Sequence, residues 1–260
     1  MIVMCRLLAL ISPKPNNVYH WVYEAEWPLV HIARPGYRKE SHKGHKDGWG
    51  IAWFIEKGYM LLKEPVAVYE SSVAKDIVAN AYSDIILFHI RHATKGLGKV
   101  YVNTHPFTYG SYVFIHNGEL KKEPILSMIP EEFKSNLYGT TDSEAYFIYL
   151  ISRVLEKGDI LEALTDNLPK LIEIGDGLTI SDIGPSLNFV LSEGDKIYAF
   201  KWRLKDDETH YSLYYRRLGD DGFLVSSEPL DSSKDWVSFE NGELIVVDKE
   251  LNEDHITIKT

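Results

Sequence analysis

Two groups of short apolar runs flank one helical stretch, and this order leaves few architectures open. On the N-terminal side, residues 5–11, 49–54, 59–62, 66–69, 84–89 and 111–116 read as strands, with Glu56-Lys57-Gly58 as a turn. Residues 71–82 have helical spacing, whereas Pro28 and Pro35 break any long helix in the aromatic-rich segment 16–37. Residues 38–47 read as a polar, basic loop. Thr141 followed by Glu144 is a capping-box pattern ahead of the apolar run 145–155, and Gly158 is its natural stop. Residues 160–174 offer a second helix, strained or split at Pro169. Beyond them, 187–191 and 196–202 flank a turn, and 211–217, 222–226 and 243–247 read as further strands. Two strand groups with helices between them predict a layered α+β domain. Composition never shifts enough to set a boundary, so one domain is expected.

The apolar core alone must hold such a fold. The 260 residues contain one cysteine, Cys5, which excludes an intramolecular disulfide, a thiolate zinc site and a Cys-x-x-Cys redox pair. The net charge is −10, and no basic run exceeds short pairs. That balance argues against nucleic acid or an anionic membrane as the main partner. No apolar run approaches the ~20 residues that a membrane helix needs. The run Leu7-Leu8-Ala9-Leu10-Ile11 is too short for a signal segment, and no small-residue cleavage site follows it. A cytoplasmic protein is expected.

Four short segments stand out: Met4-Cys5-Arg6, Arg91-His92-Ala93-Thr94-Lys95-Gly96, His116-Asn117-Gly118 and Thr141-Asp142-Ser143-Glu144. Singly each has an ordinary reading. A lone Cys is usually a small buried hydrophobe, Asn-Gly a turn, and Asp after Thr a helix cap. In this order and spacing, joined by Asp47-Gly48-Trp49-Gly50-Ile51-Ala52-Trp53 and Asn103-Thr104-His105-Pro106-Phe107, the set resembles the class-II glutamine amidotransferases. Their glutaminase domains are N-terminal-nucleophile hydrolases. The resemblance covers residues 4–150 by motif, and it is strongest to the stand-alone type that starts Cys-Arg-Leu-Leu. That group includes the amidohydrolase of ergothioneine biosynthesis.

The resemblance implies a four-layer αββα sandwich of two stacked antiparallel sheets between helical layers. It also implies chemistry. A cysteine at a true N-terminus carries a thiol and a free α-amine, whose ordinary pKa of ~7.7–8.0 suits a general base. Cys5 is then both nucleophile and carrier of its own base. Asn117, by its side chain, and Gly118, by its backbone N–H, match the family's oxyanion pair. Arg91 offers the planar, bidentate cation that an α-carboxylate needs. Asp142 matches the carboxylate that meets the α-ammonium, Thr94 adds a hydroxyl, and His92 is counted with them on the substrate side. The substrate is glutamine, hydrolysed through a Cys5 thioester to glutamate and ammonia, or a γ-glutamyl amide of a larger metabolite. A catalytically inactive binding protein is the remaining alternative. No cofactor and no metal are expected. Transfer of the ammonia requires a partner chain, an ammonia-accepting synthase subunit, since 260 residues leave no room for a synthase domain.

Two departures qualify the match. Synthase-linked relatives often place Trp after the Arg and His before the Gly of that loop, where this chain has His92 and Lys95. The leader Met1-Ile2-Val3-Met4 acylates the Cys5 nitrogen unless it is absent. Ile2 is too large for ordinary removal of Met1, whereas a start at Met4 sets a removable Met directly before Cys5. The expected mature chain is therefore 5–260, a single glutaminase-like domain, with 1–4 absent.

Other residues read more plainly. His42 and His45, near His31, belong to a solvated basic loop rather than a metal site, because no carboxylate pair or Cys completes a set. His105 lines the site or makes a structural turn. His89 and His116 are hydrogen-bonded scaffold. Trp49 and Trp53 share one strand face and pack in the core. Asp47 orients the Gly48–Gly50 turn, Ser226-Ser227-Glu228-Pro229 approaches the site, and Asp206, Asp207 and Glu208 form a solvated turn.

Overall fold

The computed structural model describes residues 5–37, 43–94, 96–175, 185–204 and 211–259. Its centre is β1 (Arg6–Asn16), whose apolar run is buried on both faces. Side chains alternate across a strand. Leu7, Ala9 and Ile11 therefore enter one core layer, and Leu8 and Leu10 enter another.

Among the described residues, β1 lies within a seven-stranded antiparallel sheet. Its other members are β2 (Trp49–Ile55), β3 (Gly58–Glu64), β4 (Ser83–Ile90), β9 (Tyr214–Arg217), β10 (Phe223–Ser226) and β11 (Val237–Ser238). The spatial order is β11-β9-β10-β1-β4-β2-β3. A second sheet holds β5 (Phe107–Tyr109), β6 (Tyr112–Glu119), β7 (Ser186–Ser192), β8 (Lys196–Lys201), β12 (Glu243–Asp248) and β13 (Glu253–Thr257), in the order β13-β12-β8-β7-β6-β5. The inner faces interdigitate: Leu7, Ala9, Ala52 and Leu87 from the first sheet pack with Val113, Ile115, Val190 and Ala199 from the second.

Helices cover both outer faces. α1 (Leu29–Ile32) and α2 (Ala74–Asn80) pack Leu29, Ile32, Ala74 and Val78 against Leu8, Trp49, Ile86 and Phe88. On the opposite side α3 (Lys122–Met128), α4 (Glu131–Lys134), α5 (Asp142–Lys157) and α6 (Ile160–Gly175) cover Phe114, Leu187, Phe189 and Phe200. The architecture is thus the α+β, αββα sandwich.

The start of α5 matters for the site. Thr141 Oγ1 accepts from the Glu144 N–H at 3.1 Å, the forward half of a capping box. The reverse half is absent. Glu144 instead accepts from the N–H groups of Tyr138 at 3.0 Å and Gly139 at 2.7 Å, so it shapes the loop before the helix. Gly158, at φ 76°, ends α5 in the left-handed conformation that glycine tolerates.

Several expectations are corrected. Residues 66–69 are a turn, not a strand: β3 stops at Glu64, Pro65 has no N–H to extend the ladder, and the Ala67 carbonyl accepts from Glu70 and Ser71. α6 runs through Pro169 without splitting. The short strands β5, β11 and β13 were not evident in the sequence, and the charge-rich β13 is an edge strand. Trp49 is fully buried and Trp53 packs against the same cluster, as the two-residue period implies. Residues 1–4, His42, Lys95 and 206–208 lie outside the described residues.

Candidate active site

Cys5 immediately precedes β1, where pairing of Arg6 with Ile90 brings it beside the end of β4. There the main chain of His92 holds the thiol. The His92 N–H donates to Sγ at 3.3 Å, and the S–H donates to the His92 carbonyl at 3.4 Å. Burial pushes the thiol up to about 11, although the His92 N–H, Arg91 and Arg6 pull it down. At neutral pH the sulfur is a protonated thiol, and it needs a base before it can attack.

The residue after Cys5 anchors its backbone. Arg6 donates to the Cys5 carbonyl at 3.0 Å and pairs with the Glu228 carboxylate. Next to Glu228, the Ser227 hydroxyl accepts from Leu7 N–H at 2.9 Å and from Asn117 Nδ2 at 3.2 Å. The 226–229 segment therefore does reach the site and ties β1 to β6.

Arg91 is 3% exposed. Its Nη1 donates to the carbonyls of Asp47 and Gly98, both at 3.2 Å, while the buried Nη2 has no hydrogen-bond partner among the described residues. A buried guanidinium with one arm unpaired is costly without an anionic ligand. Asp47 does not orient the Gly48–Gly50 turn as expected. Its carboxylate accepts from the Ala93 N–H at 2.9 Å and pairs with Lys99 at 2.9 Å, so it braces the loop after Arg91. Burial raises the Asp47 carboxyl, but Lys99 and the Ala93 N–H outweigh this and hold it below its ordinary range.

Asp142 opens α5 and Thr94 sits across from it. Both line a pocket of about 350 Å3 with Leu97, Leu120, Lys121 and Thr140. One Asp142 oxygen accepts from Leu120 N–H at 2.8 Å, just beyond β6. Burial lifts its carboxyl above the ordinary value, against the Leu120 N–H and Lys122. Asn103, unremarked in the sequence beyond its place in the Asn-Thr-His-Pro-Phe segment, links the two sides. It bonds Thr140 through Nδ2 at 3.0 Å and through Oδ1 at 2.8 Å.

Asn117 and Gly118 lie in the last residues of β6, just before Glu119. Leu187 faces Gly118 across the β6–β7 ladder, yet its N–H donates to Trp202 on the other flank. In an antiparallel ladder such a pair exchanges no hydrogen bonds. The Gly118 N–H thus points away from β7, past the end of β5, whose pairing with β6 stops at Phe114. A Cβ on residue 118 would lie 2.1 Å from the Ser186 carbonyl and 2.2 Å from the His116 ring. Glycine is required here by the sheet's own packing.

Not every expected residue joins the site by its side chain. The His92 ring turns away from the sulfur toward the Gly44 carbonyl, 3.2 Å from Nδ1, and lies 3.7 Å from Asp47. The segment 43–47 is not a solvated loop: His45 is fully buried and its N–H donates to Ala33 at 2.8 Å. Its Gly44 tucks against the end of α1, where a Cβ would strike the Ala33 carbonyl at 2.7 Å. His31 is exposed. Among the described residues no group of three His, Cys, Asp or Glu side chains is arranged to hold a metal ion. His105 is buried with its ring 4.0 Å from that of His89, and burial holds both rings neutral.

Comparison with known proteins adds independent information. The family model described as class-II glutamine amidotransferases matches residues 4–212. A Methanocaldococcus jannaschii protein named only as uncharacterised is 32% identical, with 94% of this chain and 69% of that protein aligned. The gamma-glutamyl-hercynylcysteine sulfoxide hydrolase of Mycobacterium tuberculosis is 25% identical over 81% of this chain and 79% of its own. A solved structure from Silicibacter pomeroyi, titled as a glutamine aminotransferase class-II domain protein, superposes with a TM-score of 0.69. It covers 98% of this chain and 100% of that one at 20% identity, a likeness of fold.

Proposed function

The chain belongs to the class-II glutamine amidotransferases, a family of amidohydrolase enzymes, and from that premise we propose that Cys5 cleaves the side-chain amide of glutamine through a thioester. One observation carries this reading. A half-buried thiol held by the His92 main chain lies beside the end of β4 with Arg91, whose buried Nη2 has no hydrogen-bond partner among the described residues, and Asp142 and Thr94 line one pocket nearby.

The α-carboxylate of glutamine meets Arg91, and its α-ammonium meets Asp142 with Thr94 beside it. The thiol proton passes to the free α-amine of Cys5 in a chain that begins there, because the raised thiol does not ionise unaided near pH 7. Sulfur attacks the amide carbon, and the oxyanion is stabilised by the Gly118 N–H and Asn117 Nδ2. The amine returns its proton to departing ammonia, and water then attacks the thioester to release glutamate. A partner chain that accepts ammonia completes a transfer reaction. A reducing cytoplasm keeps the single thiol free. Among the described residues no helix is long and apolar enough to cross a membrane.

A second substrate, a γ-glutamyl amide of a larger amine, is favoured by the pocket of about 350 Å3. That volume lies in the range of sites for ligands larger than an amino acid. The similarity to the mycobacterial hydrolase points the same way.

The test combines intact mass of protein from its natural host with ammonia release from glutamine and from γ-glutamyl amides. A mature chain beginning at Cys5, active on one of them and silent as Cys5→Ala, is expected. Full activity in a chain that keeps residues before Cys5 would rule out the amine as base.

A further inference from the structure

His116 joins both halves of this site through one ring. Strand alternation turns His116 toward the helices and Asn117 toward the other sheet. Its Nδ1 accepts from the Ser143 hydroxyl at 2.9 Å, and its Nε2 donates to the Ser186 carbonyl at 3.2 Å. Burial holds the ring down to about 4, so it is neutral, and these two partners select the tautomer protonated on Nε2. Its main-chain carbonyl accepts from His89 Nε2 at 3.1 Å, which fixes the strand as well as the ring.

Both partners lead to proposed substrate contacts. Ser143 follows Asp142 in the first turn of α5. Ser186 opens β7, and its carbonyl and the His116 ring are the two groups that a Cβ on Gly118 would strike. We propose that His116 is a positioning residue that sets the spacing between Asp142, the anchor for the substrate ammonium, and Gly118, the donor to its oxyanion. This rests on the function proposed above. The ammonium and the reacting carbonyl lie at opposite ends of a flexible side chain. Both ends must be held together for attack, and a shift of ~1 Å at a reacting centre costs on the order of 10²-fold in rate.

The two arms are separable. A Gln amide reaches the place of imidazole Nε2 and keeps the Ser186 arm, whereas an Asn amide reaches the place of Nδ1 and keeps the Ser143 arm. The experiment measures kcat and KM of wild type, Ser143→Ala, His116→Gln and His116→Asn on the preferred amide. It adds thermal midpoints and the rate at which a diazo-ketone glutamine analogue labels Cys5. Ser143→Ala and His116→Gln slacken Asp142 alone and are expected to raise KM about tenfold, with kcat within about twofold. His116→Asn slackens the Gly118 side and is expected to lower kcat about tenfold with KM nearly unchanged. The inference is overturned if all three variants lose kcat/KM with one common split that follows their thermal midpoints, since that is a merely structural role. It is also overturned if an active wild type has variants that match it. A wild type that neither turns over any γ-glutamyl amide nor takes up the label overturns the proposed function, and this inference with it.

Discussion

The two walls of the site are built on different physics. The wall from the first sheet carries ions braced by loops: Arg91 bonded to carbonyls, and Asp47 between Lys99 and the Ala93 N–H. The wall from the second sheet is mostly neutral and sits on regular structure. Gly118 is fixed by β-pairing, His116 by two neutral partners, and Asp142 by a helix start and the Leu120 N–H. The difference suggests a division of labour. An ionic wall answers to pH and salt and suits recognition of a charged substrate, whereas a neutral hydrogen-bonded wall keeps its geometry while charge develops at the reaction centre.

The largest expected effect breaks the neutral wall. Gly118→Ala forces a Cβ against the Ser186 carbonyl at 2.1 Å. Overpacking of this kind costs about 1–3 kcal/mol of stability. Displacing the proposed donor lowers kcat by ~10²–10³. Steady-state kinetics with thermal melting checks both, and a variant with wild-type kcat removes Gly118 from the oxyanion site.

Breaking the ionic wall at its deepest cation comes next. Arg91→Ala removes the proposed carboxylate anchor and should lower kcat/KM on the order of 10²-fold, mainly through KM, since hydrogen bonds to charged groups are each worth about 1.5–3 kcal/mol. Arg91→Lys keeps the charge without the fork and should recover only part of this.

Asp142→Asn tests the carboxylate that the second wall contributes. It preserves the acceptor for Leu120 and removes the charge. KM should rise about tenfold, as expected for one charged hydrogen bond. The proposed contact to the substrate ammonium requires the ionised carboxylate, and burial raises that carboxyl above its ordinary value. KM therefore rises as pH falls through the raised value, and the variant should lose that limb. A pH profile of KM is the measurement.

The smallest effect is expected from Asp47→Asn. Lys99 is half exposed, so the pair contributes at most about 1 kcal/mol. Because the folded Asp47 carboxyl lies below its ordinary range, that contribution is complete above about pH 4 and fades as pH falls through the lowered value. Chemical denaturation of both proteins across that window measures it. Equal stabilities at pH 7 would show that the loop after Arg91 is held without Asp47.

The elements with the strongest local signals were legible in the sequence. The apolar run of β1, the Thr141 cap of α5 and the period that buries Trp49 all follow from residues close together in the chain. β13 was not, because Glu253-Asp254-His255-Ile256-Thr257 is an edge strand that shows no alternation. Nor was the turn at 66–69, where an apolar strand-like run is diverted after Pro65. Asp47 and Ser227 were noted, but their partners lie 46 and 110 residues away in Ala93 and Asn117, and no local pattern names such partners.

The sequence alone determined which chemical groups this protein has. It holds one thiol at the head of an apolar strand, an Asn-Gly pair, an arginine and a capped aspartate, in an order that matches one family. Tertiary structure decided what those groups face. The thiol is raised because packing takes it partly out of water, and the His92 ring faces the Gly44 carbonyl with Asp47 beside it. Glycine is required at 118 because a second strand brings the Ser186 carbonyl against it. These outcomes depend on surfaces that meet only when two sheets and a helix close on one another, and desolvation and steric contact are properties of that closure.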